Sequence, residues 1–586
     1  MNNLRYLNKY LWKYRWRLAL GTVFVGLSQF FMVLAPKEIS KALDFMVSKS
    51  EEIAGTDNTQ SFNELYGQEI IKFSATVIGL FLLMGFFLYC MRKTIIVMSR
   101  LIEYDLRKEI YQHYQTLDLA FYKRNKTGDL MARLSEDVSK VRMYLGPGLM
   151  YGIRVTLLVS FVIVAMFQVN AKLTLYTLLP LPFLSLSIYY VSSIIHKRSD
   201  LIQRQVSKLN SISQEVYSGI RIVKSYVKEK QFADYFDAES ENYKEKSLDL
   251  AKVNALFFPL MIVLMNISTI ITIFVGGTLY AQGQITVGNL LEFIIYIGYL
   301  NWPITSIGWI ASIIQQAEAS QNRINEILKI EPNITNPVTD NRELSGQIEF
   351  RNVSFTYPDT GIEALNNVSF KVESGHRLAI VGRTASGKST IAELLLRFYD
   401  VTQGEILIDG NNIKEIDLSN LRKRVGYVPQ NVFLFSDTIE DNVRFGRLDA
   451  DSDKVQQYSK HAAIDGDIME LPEAYATFVG ERGVTLSGGQ KQRLSIARAL
   501  IKDPDIILMD DSLSAIDANT EHKILSYLDD VLKSKTSIII THRVSSLLEF
   551  DNILVLENGK IEEFGSHDAL IDTGGYYSQI VKKQYE

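Results

Sequence analysis

The sequence has almost no cysteine and no excess of charge of either sign. Its one cysteine, Cys90, lies in an apolar run, so an intrachain disulfide is impossible. Lys and Arg number 62 against 66 Asp and Glu, which leaves a net charge of −4. Nucleic-acid binding usually needs a basic surface, so no nucleic-acid partner is expected. At 586 residues the chain is too long for one hydrophobic core, and several domains are expected.

Glycine and proline are missing from three long stretches of the first half. Residues 86–127, 183–218 and 220–258 contain neither. Forty helical residues extend about 60 Å, twice the hydrocarbon core of a bilayer. These stretches predict helices that continue well into the cytoplasm, with contact elements at their turns near residues 113–122 and 210–219. Ordinary helices joined by soluble loops are the alternative.

Long apolar runs fill the same half of the chain. A membrane-spanning helix needs about 20 mostly apolar residues, and six stretches meet this requirement. They are residues 18–35, 71–91, 145–169, 173–195, 256–280 and 287–314. Burial inside a large soluble protein explains so many uninterrupted runs poorly. Residues 1–330 are therefore predicted to form an all-α membrane domain with six spanning helices, and the lipid bilayer is an expected partner.

Charged residues beside the spans predict their orientation. Five basic residues precede the first span: Arg5, Lys9, Lys13, Arg15 and Arg17. The loop after this span is acidic and suits the outside. By the positive-inside rule the N-terminus is cytoplasmic, and six spans return the chain to the cytoplasm. We therefore expect a multi-pass protein of the cell membrane with both termini cytoplasmic, and no cleavable signal peptide is evident.

Few polar side chains interrupt the spans. They are Gln29, Arg154, Asn266, Glu292 and Asn301. Because charge inside a membrane is costly, Arg154 and Glu292 are candidates for a cavity wall or an interhelical pair. Snorkelling to the interface is the alternative. The aromatic content of the spans would suit a hydrophobic small-molecule substrate, although lipid contact and packing explain most such residues.

The second half carries a glycine-rich loop between a strand and a helix. In residues 381–390, Gly382 and Gly387 stand five apart, and Lys388 and Ser389 follow at once. An apolar strand precedes this P-loop pattern, and a glycine-free helix follows it. Backbone N–H groups and the helix dipole then favour a phosphate. Lys388 would reach the outer phosphates and Ser389 would bind Mg²⁺, which predicts a nucleoside triphosphate ligand.

Two more motifs follow within this predicted α/β domain, 348–586, which a helix-breaking linker at 331–347 separates from the spans. The apolar strand 505–510 ends in Asp510, a placement that suits a Mg²⁺ ligand. Residues 486–490 open an amphipathic helix with two glycines, a second anion-binding N-terminus. One triphosphate does not need two such sites. The second would therefore close over a nucleotide held by another copy of the domain.

Lys388 with Ser389, the 486–490 motif, Asp510 and His542 together resemble the ATP-binding cassette of ABC transporters. With the six spans before it, the whole chain resembles a type I ABC exporter half-transporter. This resemblance implies an all-α membrane domain followed by an α/β P-loop cassette, with ATP and Mg²⁺ bound. It also implies an ATPase coupled to transport and a second half-transporter as partner. The turns near 113–122 and 210–219 then resemble the coupling helices.

On this resemblance, family roles fall on matching positions. The nucleotide would be bound by Tyr357 (stacked on adenine), Gly382, Arg383, Thr384, Ala385, Ser386, Gly387, Lys388, Ser389 and Thr390. The signature, which contacts the partner's ATP, would be Leu486, Ser487, Gly488, Gly489 and Gln490. Mg²⁺ would be held by Ser389, Gln430 and Asp510, the D-loop would contain Ser514 and Asp517, and the catalytic positions would be Gln430, Asp511 and His542.

One position departs from the family pattern. Where the family places Glu as the base that polarises water, this chain has Asp511. The missing methylene removes about 1.3–1.5 Å of reach, which can lower a rate by about 10²-fold. The site is therefore expected to bind ATP and to hydrolyse it slowly. A backbone adjustment that lets Asp511 act as the base is the alternative.

The weak base position affects the expected assembly. A homodimer would contain two weak sites, whereas the intact signature of this chain could complete a competent site on a different partner. The chain thus resembles the degenerate-site subunit of bacterial heterodimeric multidrug exporters, with hydrolysis mainly at the site shared with the partner's P-loop. A homodimeric exporter is the alternative.

The expected function is ATP-driven export of hydrophobic or amphipathic compounds across the cytoplasmic membrane. A lipid flippase of the same fold is an alternative. An ATP-gated channel or regulatory protein is another, for which Asp511 is the only support. The spans exclude a soluble cassette ATPase acting on ribosomes or DNA. No cysteine precedes Cys90, which disfavours a peptide exporter with its own protease.

Overall fold

The computed structural model describes residues 3–54, 62–336, 338, 342–513, 520–521, 523–524, 526, 535–541 and 550–585. Two compact units share the chain. One contains Met1–His113 and Leu130–Lys329, and the other contains Tyr114–Asp129 and Ile330–Glu586. The sequence placed the segment Tyr114–Asp129 in the membrane domain. It is grouped with the second unit because Ala120 lies in that unit's hydrophobic core.

Twelve labelled helices precede the first strand. They are α1 Asn8–Lys13, α2 Arg15–Ala54, α3 Phe62–Thr116, α4 Leu119–Arg124, α5 Thr127–Ala132, α6 Val138–Met143, α7 Leu149–Val169, α8 Ala171–Leu178, α9 Pro180–Ser218, α10 Ile220–Ser225, α11 Glu229–Ala281 and α12 Val287–Leu328. A 3-10 helix, Asn3–Leu7, precedes α1, and two π-helical turns lie at Arg133–Asp137 and Tyr144–Gly148. The long helices predicted from missing glycine and proline are confirmed, since α3 has 55 residues, α9 has 39 and α11 has 53.

Among the described residues, five helical stretches are long and apolar enough to cross a membrane. They are Arg15–Ser50, Tyr66–Thr116, Thr127–Val169, Glu229–Ala281 and Val287–Leu328. The remaining predicted stretch, 173–195, is divided between α8 and α9 and is two helices rather than one. Pro180 explains the break, because its ring fixes φ and removes the N–H, so it stands at the first turn of a new helix.

Large apolar side chains cover the outside of these helices. On α3, Ile71, Leu82 and Phe86 are all exposed. Contiguous apolar surface of this kind is unfavourable in water and is suited to lipid or to another membrane chain. The inward-facing residues form a separate core, in which Val33, Leu158 and Phe293 are buried. This arrangement confirms a helical membrane domain with long helices.

The second predicted contact element, near residues 210–219, lies where a long helix ends. Helix α9 continues to Ser218, so this segment forms its last turns. Gly219 ends the helix, and the short helix α10 follows it. The first predicted element, 113–122, contains the end of α3 and the start of α4. Asp118 caps α4, because its side chain accepts a hydrogen bond from Phe121 N.

The second unit contains two β-sheets and the remaining helices. Its strands are β1 Ile348–Thr356, β2 Glu363–Val372, β3 Arg377–Gly382, β4 Gln403–Ile408, β5 Asn411–Asn412, β6 Val425–Val428, β7 Ile506–Asp510, β8 Thr536–Ile540, β9 Asn552–Glu557 and β10 Lys560–Gly565. Its other helices are α13 Lys388–Leu395, α14 Leu418–Arg424, α15 Ile439–Arg444, α16 Ser452–His461, α17 Asp465–Met469, α18 Gly488–Leu500, α19 His567–Asp572 and α20 Tyr576–Tyr585.

The candidate site lies at the carboxyl ends of interior strands of the larger sheet. This sheet has the order β10-β9-β3-β8-β7-β6, and only β10 is antiparallel to its neighbour. The smaller sheet is antiparallel with the order β2-β1-β4-β5. Helix α13 packs in the core between the sheets, whereas α18 packs in a second core with α15 and α16. The α/β architecture predicted for this half is confirmed.

Candidate nucleotide site

The glycine-rich loop joins β3 to α13. β3 ends at Gly382 and α13 begins at Lys388. Between them, Ala385 and Gly387 have φ values of +63° and +102°. A Cβ on Gly387 would lie 3.0 Å from Leu365 Cδ2 and closer still to a backbone oxygen, so only glycine fits this turn. The loop ends at a helix N-terminus, where unpaired N–H groups favour an anion.

Two buried polar side chains belong to this loop. Lys388 is 7% exposed, and its Nζ donates to the carbonyl oxygens of Gly382 and Arg383 at 2.9 and 2.7 Å. Burial lowers the pKa of Lys388, and attraction to two nearby carboxylates opposes that shift. Within the described chain, the buried Ser386 Oγ has no hydrogen-bond partner. A buried ammonium and an unsatisfied hydroxyl beside helix amides fit a phosphate group.

The carboxylate expected to hold Mg²⁺ lies at the same edge of the sheet. Asp510 ends β7, and β8 separates β7 from β3, so the carboxyl ends of these parallel strands meet near the loop. Burial raises the pKa of Asp510, although its hydrogen bond to Ser389 opposes the shift. No described cluster of three His, Cys, Asp or Glu residues could hold a metal ion. Mg²⁺ would therefore need hydroxyl, phosphate and water oxygens beside Asp510.

The position expected to supply the catalytic base lies beside Gln430. Gln430 follows β6, and its Nε2 donates to Asp511 Oδ2 at 3.3 Å. The backbone of Asp511 has φ +45°, a left-handed conformation that Asp tolerates better than most residues. Its N–H donates to Ile540 O at 2.9 Å, which anchors the residue to β8. The fold thus places Gln430 beside Asp511, the residue that follows Asp510.

The tyrosine expected to stack on adenine is held through its hydroxyl group. Tyr357 Oη lies 2.9 Å from Thr390 Oγ1 and donates to Glu393 Oε2 at 2.9 Å. Its ring meets those of Phe355 and Tyr399 edge to face, at 4.9 and 5.5 Å. Burial raises the pKa of Tyr357 to about 12, and the charge of Glu393 contributes. Helix α13 therefore fixes the orientation of this ring.

The sequence did not indicate two charged neighbours of Tyr357. Lys123 of α4 donates to Glu393 at 3.0 Å, and its ammonium lies 5.1 and 5.2 Å from the ring centres of Tyr357 and Tyr399. Burial alone would lower the pKa of Lys123, but the hydrogen bonds and charge interactions with Glu393 and Tyr399 together outweigh burial and raise this pKa. Glu393 was accessible to sequence reasoning, since it lies three residues after Thr390 on one helix face. Lys123 was not, because 270 residues separate the pair.

The predicted signature begins α18. Ser487 Oγ accepts from Gln490 N at 3.3 Å, and Gln490 Oε1 accepts from Ser487 N at 3.0 Å. This capping box fixes the helix start. Ser487 and Gly488 are exposed, and Leu486 is half-buried. The helix N-terminus is thus open for contact with another molecule.

Three predicted site residues lie outside the described part of the chain. They are Ser514, Asp517 and His542. The residue before the last of these, Thr541, is buried at the end of β8. Its N–H donates to Ile380 O at 3.2 Å, so the chain leaves β8 beside the strand that carries the P-loop.

Comparison with known proteins places both halves in one family. Family models for the ABC transporter transmembrane region and for the ABC transporter match residues 18–304 and 365–514. YheI of Bacillus subtilis, a probable multidrug resistance ABC transporter ATP-binding/permease protein, is 38% identical over 83% of each chain. MdlA of Escherichia coli, a multidrug resistance-like ATP-binding protein, is 34% identical over 88% of each. An ATP-dependent lipid A-core flippase of Pseudomonas fluorescens is 35% identical over 81% of this chain and 79% of its own.

A solved structure extends this similarity over nearly the whole fold. A bacterial Atm1-family ABC exporter with ATP bound has a TM-score of 0.78 and 28% identity, and the match covers 98% of both chains. The helical domain, the P-loop sheet and their order along the chain are therefore shared with an exporter. The chain belongs to the ABC transporter family, as a type I exporter half-transporter whose ATPase domain couples ATP hydrolysis to transport.

Proposed function

We propose that this chain exports hydrophobic or amphipathic compounds as one half of a heterodimer, and that its own ATP site hydrolyses slowly. The observation that carries the proposal is Asp511, which follows Asp510 where the family has Glu. Its carboxylate is within hydrogen-bond reach of Gln430, 3.3 Å away. The aspartate is thus oriented in the site, but its side chain is one methylene shorter. Binding without efficient hydrolysis is the expected result.

The other groups at the site support tight nucleotide binding. Lys388 would neutralise the outer phosphates, and Ser389 with Asp510 would hold Mg²⁺. ATP, when bound, supplies the phosphate charge that the loop is built to receive. Tyr357 offers an aromatic ring for adenine, since its hydroxyl is already tied to α13. None of these positions departs from the family pattern, so the weakness is confined to the base.

Exposed surfaces support a requirement for a second chain. The N-terminus of the signature helix is open, and three aromatic residues near Gln430 are exposed: Phe433, Phe435 and Phe445. Tyr226 and Val227, just after α10, are also exposed. Such apolar patches in a cytoplasmic region favour association. A partner half-transporter would cover the aromatic patch near Gln430 and the patch at Tyr226 and Val227. It would also present its P-loop to Ser487 and Gly488 of this chain.

Steady-state ATPase activity of the full chain in lipid nanodiscs tests this proposal. Wild type should bind nucleotide yet turn over very slowly. Asp511→Glu should raise the rate about tenfold or more if the chain can pair with itself, because the longer side chain reaches the water. Asp511→Asn is the matched control and should leave the slow wild-type rate nearly unchanged. Turnover of several ATP per second in wild type, abolished by Asp511→Asn, would show that Asp511 is a working base.

A lipid flippase of the same fold is the second candidate. The observation in its favour is the 35% identity with the lipid A-core flippase. ATPase stimulation separates the two functions, once a competent pair of chains is assembled. Stimulation by hydrophobic drugs in a fixed lipid background supports export of compounds. Stimulation that follows only a change of lipid headgroup supports the flippase.

A further inference from the structure

The helical unit contains a cavity that no step of the ATP cycle uses. It measures about 430 Å³ and lies among α2, α7 and α12. This volume lies within the range of small-molecule sites. Phe30 and Phe161 form one wall and meet edge to face at 6.4 Å. An apolar wall of this kind accepts a hydrocarbon or aromatic body.

A buried carboxylate lines the same cavity. Glu292 is 2% exposed, and its Oε1 accepts a hydrogen bond from Tyr296 Oη at 2.9 Å. Ser40 and Asn289 also lie close to this carboxyl group. Such partners fix the position of this carboxyl group on the cavity wall. A carboxylate used only to join α12 to α2 would not need to line a cavity.

An ammonium group of opposite charge lines the same cavity. Lys37 of α2 is exposed and lies within electrostatic range of Glu292. Throughout the described chain, Lys37 makes no hydrogen bond and no ion pair with another side chain. One helical turn later, Lys41 pairs with Glu38 at 2.6 Å and does not line the cavity. Lys37 is thus available to a ligand, whereas Lys41 is not.

Opposite charges on one cavity select a ligand with both charges. A simple cation would gain from Glu292 but would be repelled by Lys37, and a simple anion would meet the reverse. A headgroup with an anionic and an ammonium group satisfies both. The lining residues Lys37, Val169 and Asn289 stand at the ends of their spans, which the orientation argument places at the outer interface. An amphiphile there would keep its headgroup near water.

We propose that this cavity binds zwitterionic amphiphiles, with the anionic group at Lys37, the ammonium at Glu292 and the apolar body against Phe30 and Phe161. The inference rests on the proposed export function, because it names the substrate class of that transporter. Binding itself needs no ATP. A binding experiment without nucleotide therefore fails or succeeds independently of the ATPase experiment above.

The test uses the full chain in nanodiscs of anionic phosphatidylglycerol. Three fluorescent single-chain probes share one tail and carry a phosphoethanolamine, a trimethylammonium or a sulfate headgroup. Empty nanodiscs give the partition background of each probe. The zwitterionic probe should bind about tenfold more tightly than either of the others, because it alone satisfies both walls. Equal affinity of the three probes would overturn the proposal.

Charge-removing variants identify the two walls. Lys37→Met should weaken binding of the zwitterionic probe about tenfold and should strengthen binding of the cationic probe, because it removes only the positive charge. Glu292→Gln should weaken binding of the zwitterionic probe and strengthen binding of the anionic probe. Lys41→Met is the matched control and should change no affinity. Because Lys37 is exposed, its substitution leaves the helix packing intact, and an unchanged zwitterion affinity in Lys37→Met would overturn the proposal even if Glu292→Gln failed to fold.

A competition arm distinguishes two sources of such a ligand. Nanodiscs containing phosphatidylethanolamine present the same headgroup on a double-chain lipid. If phosphatidylethanolamine displaces the probe from wild type but not from Lys37→Met, the ligand is a bilayer lipid. Absence of displacement, with the probe still bound, identifies a single-chain compound. Displacement that is equal in wild type and Lys37→Met would show that the headgroup is not read at this cavity, and the proposal would fall.

Discussion

The ion pair between Lys123 and Glu393 should determine how firmly α4 is held on the ATP-binding domain. Lys123→Met removes the charge from α4, and Glu393→Gln removes it from α13 while keeping an acceptor for the Tyr357 hydroxyl. The double variant completes a thermodynamic cycle. Arg124→Met is the control, since Arg124 carries the same charge on the same helix and is exposed without a hydrogen bond or ion pair in the described structure.

The expected size of the effect follows from distance and exposure. At 3.0 Å two unit charges attract by about 1.4 kcal/mol in water and by more at lower dielectric constant. The Lys123 side chain is 37% exposed, so solvent screening and side-chain entropy reduce the net value to about 1 kcal/mol. This free energy corresponds to about a fivefold change in the population of the detached helix. The effect is thus local and measurable.

Hydrogen–deuterium exchange of peptides covering Leu119–Arg124 measures that population in the full chain. Both single variants should exchange about fivefold faster than wild type, and the double variant should be no faster than either single one. Arg124→Met should leave exchange unchanged. Additive effects in the double variant, or an equal effect of Arg124→Met, would show that general charge and not this contact holds α4.

Two further predictions concern the phosphate loop and the metal ligand. Gly387→Ala should weaken nucleotide binding more than about tenfold, because its Cβ would crowd the backbone at φ +102°, and binding of a fluorescent ATP analogue checks it. Gly361→Ala, at φ +70° in open space, should leave that binding unchanged. Burial raises the pKa of Asp510, so protonation stabilises the metal-free fold at low pH, and this stability is lost as pH rises through the raised pKa. Mg²⁺ would replace that proton, so the gain in melting temperature from Mg²⁺–ATP over ATP alone should shrink as the pH falls through the raised pKa of Asp510. Asp510→Asn should remove this pH dependence.

Local chemistry explains why so much of this molecule was predictable. Apolar runs of about 20 residues and the absence of helix breakers leave few structures other than long membrane helices. The spacing of Gly382, Gly387, Lys388 and Ser389 likewise permits little except a phosphate loop. Asp511 was visible as a single residue that departs from its family. These inferences need only neighbours along the chain.

One helix boundary was wrong because the hydrophobic pattern does not locate a break within an apolar stretch. The break at Pro180 divides one apolar stretch into two helices, and the apolar composition alone hid it. Helix α9 does continue to Ser218, as the absence of glycine and proline from 183–218 predicts, and Gly219 ends it. At Pro180 and at Gly219, a single residue sets the helix boundary.

The sequence by itself determined the helical membrane domain and the glycine-rich loop between a strand and a helix, because each depends on residues close together in the chain. Only the tertiary structure decided which distant side chains meet. Lys123 reaches Glu393 across 270 positions, and Lys37 shares a cavity with Glu292 on another helix. Such contacts arise from how helices and strands pack in three dimensions, and side-chain charge acts through space without regard to order along the chain.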